Sequence, residues 1–540
     1  MVGWPTFRKE SKDLLLSAVT VLILVAPSAI ADVPGNPVQK NGDIDSASQA
    51  ATYVRKGVGE FDRHNYARAI EDFDRAIAGS PDDADAIAYR GASFSALGQN
   101  DKARTDLNRA IKLAPSDAQT YYFRGLLDDD QGQRTQAIAD YESATRWKPD
   151  FAFAWQNCGV DYVNIGQYKK AVADLDQAVK LKPDFAVAYN NRGNAYKGLA
   201  KYQLAIADYD KAIALAPTFA MAYANRGSTY DAMGKHDLAM ADYNRAITMA
   251  PDSAVSFGAY FNRSKDYAAS GEFDRAAADC TKASALVPKA PPPYFTCGLV
   301  HERLGQNDQA IQDFSELIAL VPNAAAGYGN RAVAYNNSER YALALKDLDK
   351  AIALDPKDAR EFSNRGWSEN GLGRYASAVS DFDSAIKLDP HYMLAYVGRG
   401  EVYASIGQYE KAIESISYQL AVAPDDTYAL LQRCWVRARW GKQLDGGLAD
   451  CSKVLTASPR NSQARNARGM IYLRLGKYSE AVKDCDAVVS GDPKNASALY
   501  VRGLAKEHDG DEAGAKADIA AANTIDAKIA DKFEQWGIVP

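Results

Sequence analysis

The stretch YNNRGNAYKGLAKYQLAIADYDKAIALAP, Tyr189 to Pro217, is nearly rewritten thirty-four residues later as YANRGSTYDAMGKHDLAMADYNRAITMAP, Tyr223 to Pro251. Outward from it, Pro81, Pro115, Pro149, Pro183, Pro217 and Pro251 stand thirty-four residues apart. The ladder resumes at Pro288, Pro322, Pro356, Pro390 and Pro424, then at Pro459 and Pro493, and its next slot holds Ala527. Two steps differ: 251 to 288 is three residues longer and 424 to 459 is one longer. Counting back from each slot gives fourteen copies, from about Ala50 to Ala527. A fixed period of this length announces stacked supersecondary units, each too small to bury its own apolar face.

Each copy reads as two helices. In the quoted one, helix A runs from about Ala186 to Leu199 and helix B from about Tyr202 to Leu215. Leu204, Ala205, Tyr209, Ala212 and Ile213 recur at helical spacing along one face of helix B. Gly193, Ala205 and Ala212, like Gly227, Ala239 and Ala246 in the next copy, are small where two helices must approach. Gly98, Gly132, Gly166, Gly234, Gly305, Gly373, Gly407 and Gly476 fall where the chain turns between helices. Proline stops helix B, and Asp82, Asp150, Asp184 or Asp252 behind it is placed to cap the next helix.

Tyr223, Gly227, Tyr230, Ala239, Tyr243, Ala246 and Pro251 together resemble the tetratricopeptide repeat. The resemblance covers about nine-tenths of the chain. It implies an all-α, right-handed α-solenoid of fourteen repeats, with helices A lining a concave groove. The expected boundaries are repeats one to seven over 50–288, repeats eight to fourteen over 289–527, and a closing helix over 528–540.

The family usually has Leu before the small residue of helix A. Here eleven copies have Arg: Arg90, Arg124, Arg192, Arg226, Arg263, Arg331, Arg365, Arg399, Arg433, Arg468 and Arg502. Helix B answers at one fixed position with Asp, from Asp72 and Asp106 through Asp484 and Asp518. A half-buried guanidinium needs a carboxylate that its planar fork can grip, so a ladder of ion pairs between helices A and B is expected.

One position before the Arg slot stand Asn157, Asn191, Asn225, Asn262, Asn330 and Asn364, in six of repeats four to ten, with Thr296 the exception. An amide both donates and accepts, so it can hold the main chain of an extended peptide, or else bridge neighbouring helices. A comparable asparagine ladder lines the groove of the repeat region in O-linked N-acetylglucosamine transferases. The resemblance implies the same use here, with Asn194, Lys265, Phe153, Val187, Met221, Phe261, Phe295 and Trp367 beside it. The partner is therefore expected to be a protein or peptide, and association of copies of this chain stays open. The family's carboxylate clamp needs a set of lysines that this chain lacks.

VPKAPPPYF, Val287 to Phe295, holds four prolines between repeats seven and eight, beside the three-residue insertion, and reads as a stiff, extended connection.

No catalytic set breaks the repeat, so neither an enzyme nor a cofactor is expected. His64, His236, His301, His391 and His508 are scattered without metal-ligand spacing. With Lys+Arg 63 against Asp+Glu 69, the net charge of −6 gives no footprint for nucleic acid. Arg8, Lys9 and Lys12, the apolar run Leu14 to Val25, and small Ala29 and Ala31 follow the order of an export signal over 1–31. That run is too short to span a bilayer, and 32–49 reads as a leader, so export is expected, to a bacterial periplasm or, as the alternative, by secretion. Export permits disulfides: Cys280 with Cys297 and Cys434 with Cys451 are candidate pairs, against the alternative of buried thiols.

Overall fold

The computed structural model describes residues 46–539. The expected export signal and the leader up to residue 45 lie outside the described residues. Among those described, every regular element is a helix and no strand occurs. The chain is an α-solenoid of paired helices. Its contacts divide it into two bodies, Met1–Thr296 and Cys297–Pro540.

Repeat five shows how the sequence makes the pair. Helix A is Ala186–Gly198 and helix B is Tyr202–Leu215. Ala205, Tyr209 and Ala212 of helix B are fully buried. The Tyr209 ring lies where a Cβ on Gly193 would come within 2.6 Å of it, so the bare glycine backbone forms one wall of the ring's pocket. This pairing recurs sixteen residues apart: Gly125 faces Tyr141, Gly227 faces Tyr243, Gly298 faces Phe314 and Gly366 faces Phe382. In repeat twelve, where one extra residue has entered, the corresponding pair is Cys434 and Cys451, joined as a disulfide with Cα atoms 5.7 Å apart. Cys158 and Cys485 are buried free thiols. Cys280 belongs to the first body and Cys297 opens the second.

The inter-helix turn needs a left-handed residue. Gly98 and Gly132 adopt φ of +72°, but His64, Ala200 and Glu339 hold the same slot at +62°, +56° and +57° with a Cβ in place.

The structure departs from the sequence expectations at four places. The capping carboxylate lies one residue later than expected: Asp83, Asp117, Asp358 and Asp426, not Asp82 and its equivalents, accept from the first-turn amides. The three inserted residues lie ahead of repeat seven, where Ala254–Ser256 form a 3-10 turn before helix A at Phe257–Ala269. The proline run, for its part, is no extended connection. Pro291, Pro292 and Pro293 open the helix Pro291–Arg303, where a missing N–H costs nothing because first-turn amides have no intrahelical acceptor. The first helix also starts earlier than the leader reading allowed, at Ser46.

Within each body, most successive helices A pack on each other, whereas successive helices B make no comparable contact. Helices A therefore line the inner side of each stack. At the C-terminus a short helix, Ile529–Gln535, lays buried Phe533 on Tyr500, ring centres 4.8 Å apart, and so covers the last apolar face.

Candidate functional site

The Arg ladder is present and does more than the sequence suggested. Arg192 donates from Nε and Nη2 to both oxygens of Asp208, at 2.8 and 2.7 Å. Its remaining Nη1 donates to Asp176 of the preceding repeat at 2.7 Å. The same fork joins Arg90 to Asp106 and Asp74, Arg226 to Asp242 and Asp210, and Arg502 to Asp518 and Asp486. These hydrogen bonds hold the guanidinium of Arg192 above its ordinary range, against the effect of burial. One arginine therefore fixes two repeats in register. The second acceptor was legible as the Asp-x-Asp doublet of helix B, as in Asp208 and Asp210, but only the first Asp of each doublet was given a role.

Where the Arg slot holds something else, a carboxylate is left over. Cys158 takes the slot in repeat four, and burial pushes the unanswered Asp174 up to about 6. In repeat eight the slot is Cys297, and His301 Nδ1 meets Asp313 instead, at 2.6 Å.

The asparagines divide. Asn157 and Asn191 are 3% and 1% exposed. Asn157 donates to the Tyr122 hydroxyl on helix A of repeat three. Asn191 accepts from Asn190, whose own carbonyl accepts from Asn225 of the next repeat. Asn330 donates back to the Ala326 carbonyl of its own helix. Helix bridging, the alternative use of an amide here, thus occupies Asn157 and Asn225, whereas Asn191 and Asn330 bond within their own helices. Asn194, Asn225, Asn262 and Lys265 remain half-buried on the inner side of the first body, with Phe153 and Val187. Asn194 accepts from the Tyr209 hydroxyl at 2.8 Å. Met221 and Phe261 are buried; Phe295, Asn330, Asn364 and Trp367 are half-buried. Lys265 lies over the Phe261 ring, 5.5 Å from its centre.

The fold also gathers acids that the repeat spacing hides. Asp161 on helix A of repeat four (Ala152–Asn164) is fully buried, and neither oxygen has a hydrogen-bond partner. Burial and the facing Asp129 carboxylate push it up to about 8. Three repeats on, Asp231, His236 and Asp266 converge, although no spacing around the histidines foretold it. Their ligand positions come from two repeats, so only knowledge of which helix faces meet reveals them.

Models of the tetratricopeptide repeat match residues 54–118, 90–151, 297–359, 364–428, 445–496 and 466–527, with further matches at 186–219 and 220–253. A TPR repeat model matches 159–199. The chain belongs to the tetratricopeptide repeat family. Repeats of this family mediate protein–protein interactions and are typically non-catalytic. Among solved structures, this tetratricopeptide chain is similar to the APC/C hetero-tetramer Cut9–Hcn1, at 13% identity and a TM-score of 0.42, covering 91% of this chain and 96% of that one. A tetratricopeptide repeat protein from Parabacteroides merdae is 21% identical with a TM-score of 0.38, covering 47% and 99%. Pseudomonas aeruginosa PilF is 16% identical with a TM-score of 0.36, covering 39% and 96%. No curated protein matches the chain. No helix among the described residues is long and apolar enough to cross a membrane.

Proposed function

We propose that this chain is a non-enzymatic scaffold whose first body holds an extended segment of a partner protein along helices A of repeats four to seven. The observation that carries this reading is the row of half-buried Asn225, Asn262 and Lys265, with Phe153 and Val187, on the inner side of the stack. The Asn194 amide nitrogen is buried and its carbonyl is taken by Tyr209, so it supports the row from behind. Amides there would bond a main chain, and the rings and aliphatic side chains would select among side chains. Asn330, Asn364 and Trp367 offer the second body a similar surface. Buried Asn157, bonded to Tyr122 of the preceding repeat, serves by holding helices A in register, as does Asn190, which accepts from Asn225.

The test is capture of partners from an envelope extract, comparing wild type with an Asn262→Ala, Lys265→Ala variant of unchanged melting temperature. Loss of captured proteins with the variant supports the groove, and equal capture removes it. A second reading, an envelope scaffold working through the outer surface, draws on Leu204 and Leu238, each 48% exposed at the same place on helix B of adjacent repeats. Leu204→Glu with Leu238→Glu would then abolish capture while the inner-face variant retained it. The basic, apolar and small-residue order of 1–31 supports export to the periplasm. Mass spectrometry of the mature protein should find its N-terminus at Asp32.

A further inference from the structure

Asp231 ends helix A of repeat six (Ala220–Ala232), His236 begins helix B of that repeat (His236–Met249), and Asp266 lies on helix A of repeat seven. One ligand atom from each lies within 4.8 Å of the others. His236 Nδ1 is 3.4 Å from an oxygen of Asp231 and 3.4 Å from an oxygen of Asp266. Neither approach is a hydrogen bond, and Asp231 Oδ1 and Asp266 Oδ2 are buried atoms with no hydrogen-bond partner. The other oxygen of Asp231 accepts from the Tyr243 hydroxyl at 2.5 Å, which orients the carboxylate. Bonds of about 2.0–2.1 Å in a tetrahedron put neighbouring ligand atoms about 3.4 Å apart. The two imidazole-to-carboxylate separations match that edge.

We infer that Asp231, His236 and Asp266 form a binding site for a divalent transition metal of the zinc class. An imidazole in the set argues against calcium and magnesium, which take oxygen ligands, and the absence of a thiolate from it argues against softer ions. His236 is 64% exposed, and a cleft lined by Gly234, Lys235, His236, Asp237 and Leu238 opens beside it, leaving the fourth position to water or to a ligand from a partner.

The chain supplies its own comparison. Asp129 and Arg134 precede Asp231 and His236 by 102 residues each, three full periods; Asp161 precedes Asp266 by 105, the three inserted residues making the difference. In that earlier copy the guanidinium of Arg134 favours the charged form of both carboxylates. Exchanging arginine for histidine keeps the paired acids and replaces a fixed cation with a metal ligand. Two ammonium groups also face the site: Lys197, which donates to Ser228 at 2.6 Å, feels the charge of Asp231, and Lys265, which lies over Phe261, acts on Asp266. A metal here joins repeats six and seven across the junction that carries the insertion.

The experiment is calorimetric titration of the chelator-treated full chain with zinc chloride, repeated with cobalt chloride to record the visible bands of four-coordinate Co²⁺. Wild type should bind one Zn²⁺ per chain at a site that excess Mg²⁺ and Ca²⁺ do not occupy. Exposed His236→Ala should weaken binding at least about tenfold and remove the cobalt bands, and Tyr243→Phe should weaken it by about tenfold while keeping them. If wild type binds no zinc, or if His236→Ala and Asp266→Asn bind it as tightly as wild type, the site does not exist. Should Asp266→Asn fail to fold, the exposed His236→Ala variant decides alone.

Discussion

Asp161 is a buried carboxyl group that faces a second acid, Asp129, with the nearby Arg134 and Asn164 only partly favouring its charged form. The folded state keeps a proton on this pair that the unfolded chain releases near pH 4. Its folded value lies above its unfolded one, so stability is greatest below pH 4 and declines as pH rises towards about 8. Asp161→Asn replaces the titrating carboxyl with an amide that stays neutral at every pH. Urea unfolding between pH 4.5 and 8.5 should show wild type losing roughly 2 kcal/mol or more relative to the variant, whose profile is flatter over that span. Equal slopes would show that the pair does not hold a proton. None of this was legible in the sequence. Asp129 and Asp161 are thirty-two residues apart in unremarkable acidic runs, and only the packing of helix A of repeat four on helix A of repeat three makes them neighbours.

At the scale of the helix pair, two glycine positions obey opposite rules. Gly193 has room for no side chain, because a Cβ there meets the Tyr209 ring at 2.6 Å and that ring is buried and tied to Asn194. Gly193→Ala should therefore cost about 1–3 kcal/mol despite alanine's better helix propensity, read as a lower urea midpoint with unchanged slope. Ala200 is the reverse case, a side chain held at φ +56° where most of the other turns use glycine. Ala200→Gly relieves the left-handed strain but gives the unfolded chain more freedom, for a net gain of about 0.5 kcal/mol. The helix pair was readable in advance, since periodicity and small residues report contacts within about forty residues of chain. The asparagines were less so. The same amide serves a groove or a bridge depending on how far neighbouring helices A tilt together, and sequence spacing carries no measure of tilt. Asn157 and Asn225 bond to the preceding helix A, whereas Asn191 bonds only its neighbour Asn190.

Across the whole molecule, contacts run between neighbours, so unfolding should not be a single all-or-none step. The Cys434–Cys451 bond closes a short loop inside one repeat, and removing it with Cys434→Ala and Cys451→Ala should cost about 2–4 kcal/mol locally. Hydrogen exchange should then show lost protection centred on repeats eleven to thirteen; uniform loss along residues 46–539 would contradict nearest-neighbour stability. The number of repeats was evident from the proline ladder, and their family from the pattern of Tyr223, Gly227, Tyr230, Ala239, Tyr243, Ala246 and Pro251. The metal-ligand constellation was not, because its members are contributed by two repeats that differ from the rest.

The forked arginine also says how such a chain can change length over evolutionary time. Most of these guanidiniums, Arg192 among them, bond one position in their own repeat and the equivalent of a second in the repeat before; Arg468 bonds only Asp484 of its own repeat. A duplication or deletion of thirty-four residues therefore hands every arginine at the new junction the same acceptors it had before. The gene can gain or lose whole copies without a compensating mutation. Repeats four and eight, where Cys158 and Cys297 replace the arginine, lack that exchangeable joint. Recombination endpoints there would have to supply the missing contacts some other way, so related chains of different length should differ in copy number mainly elsewhere.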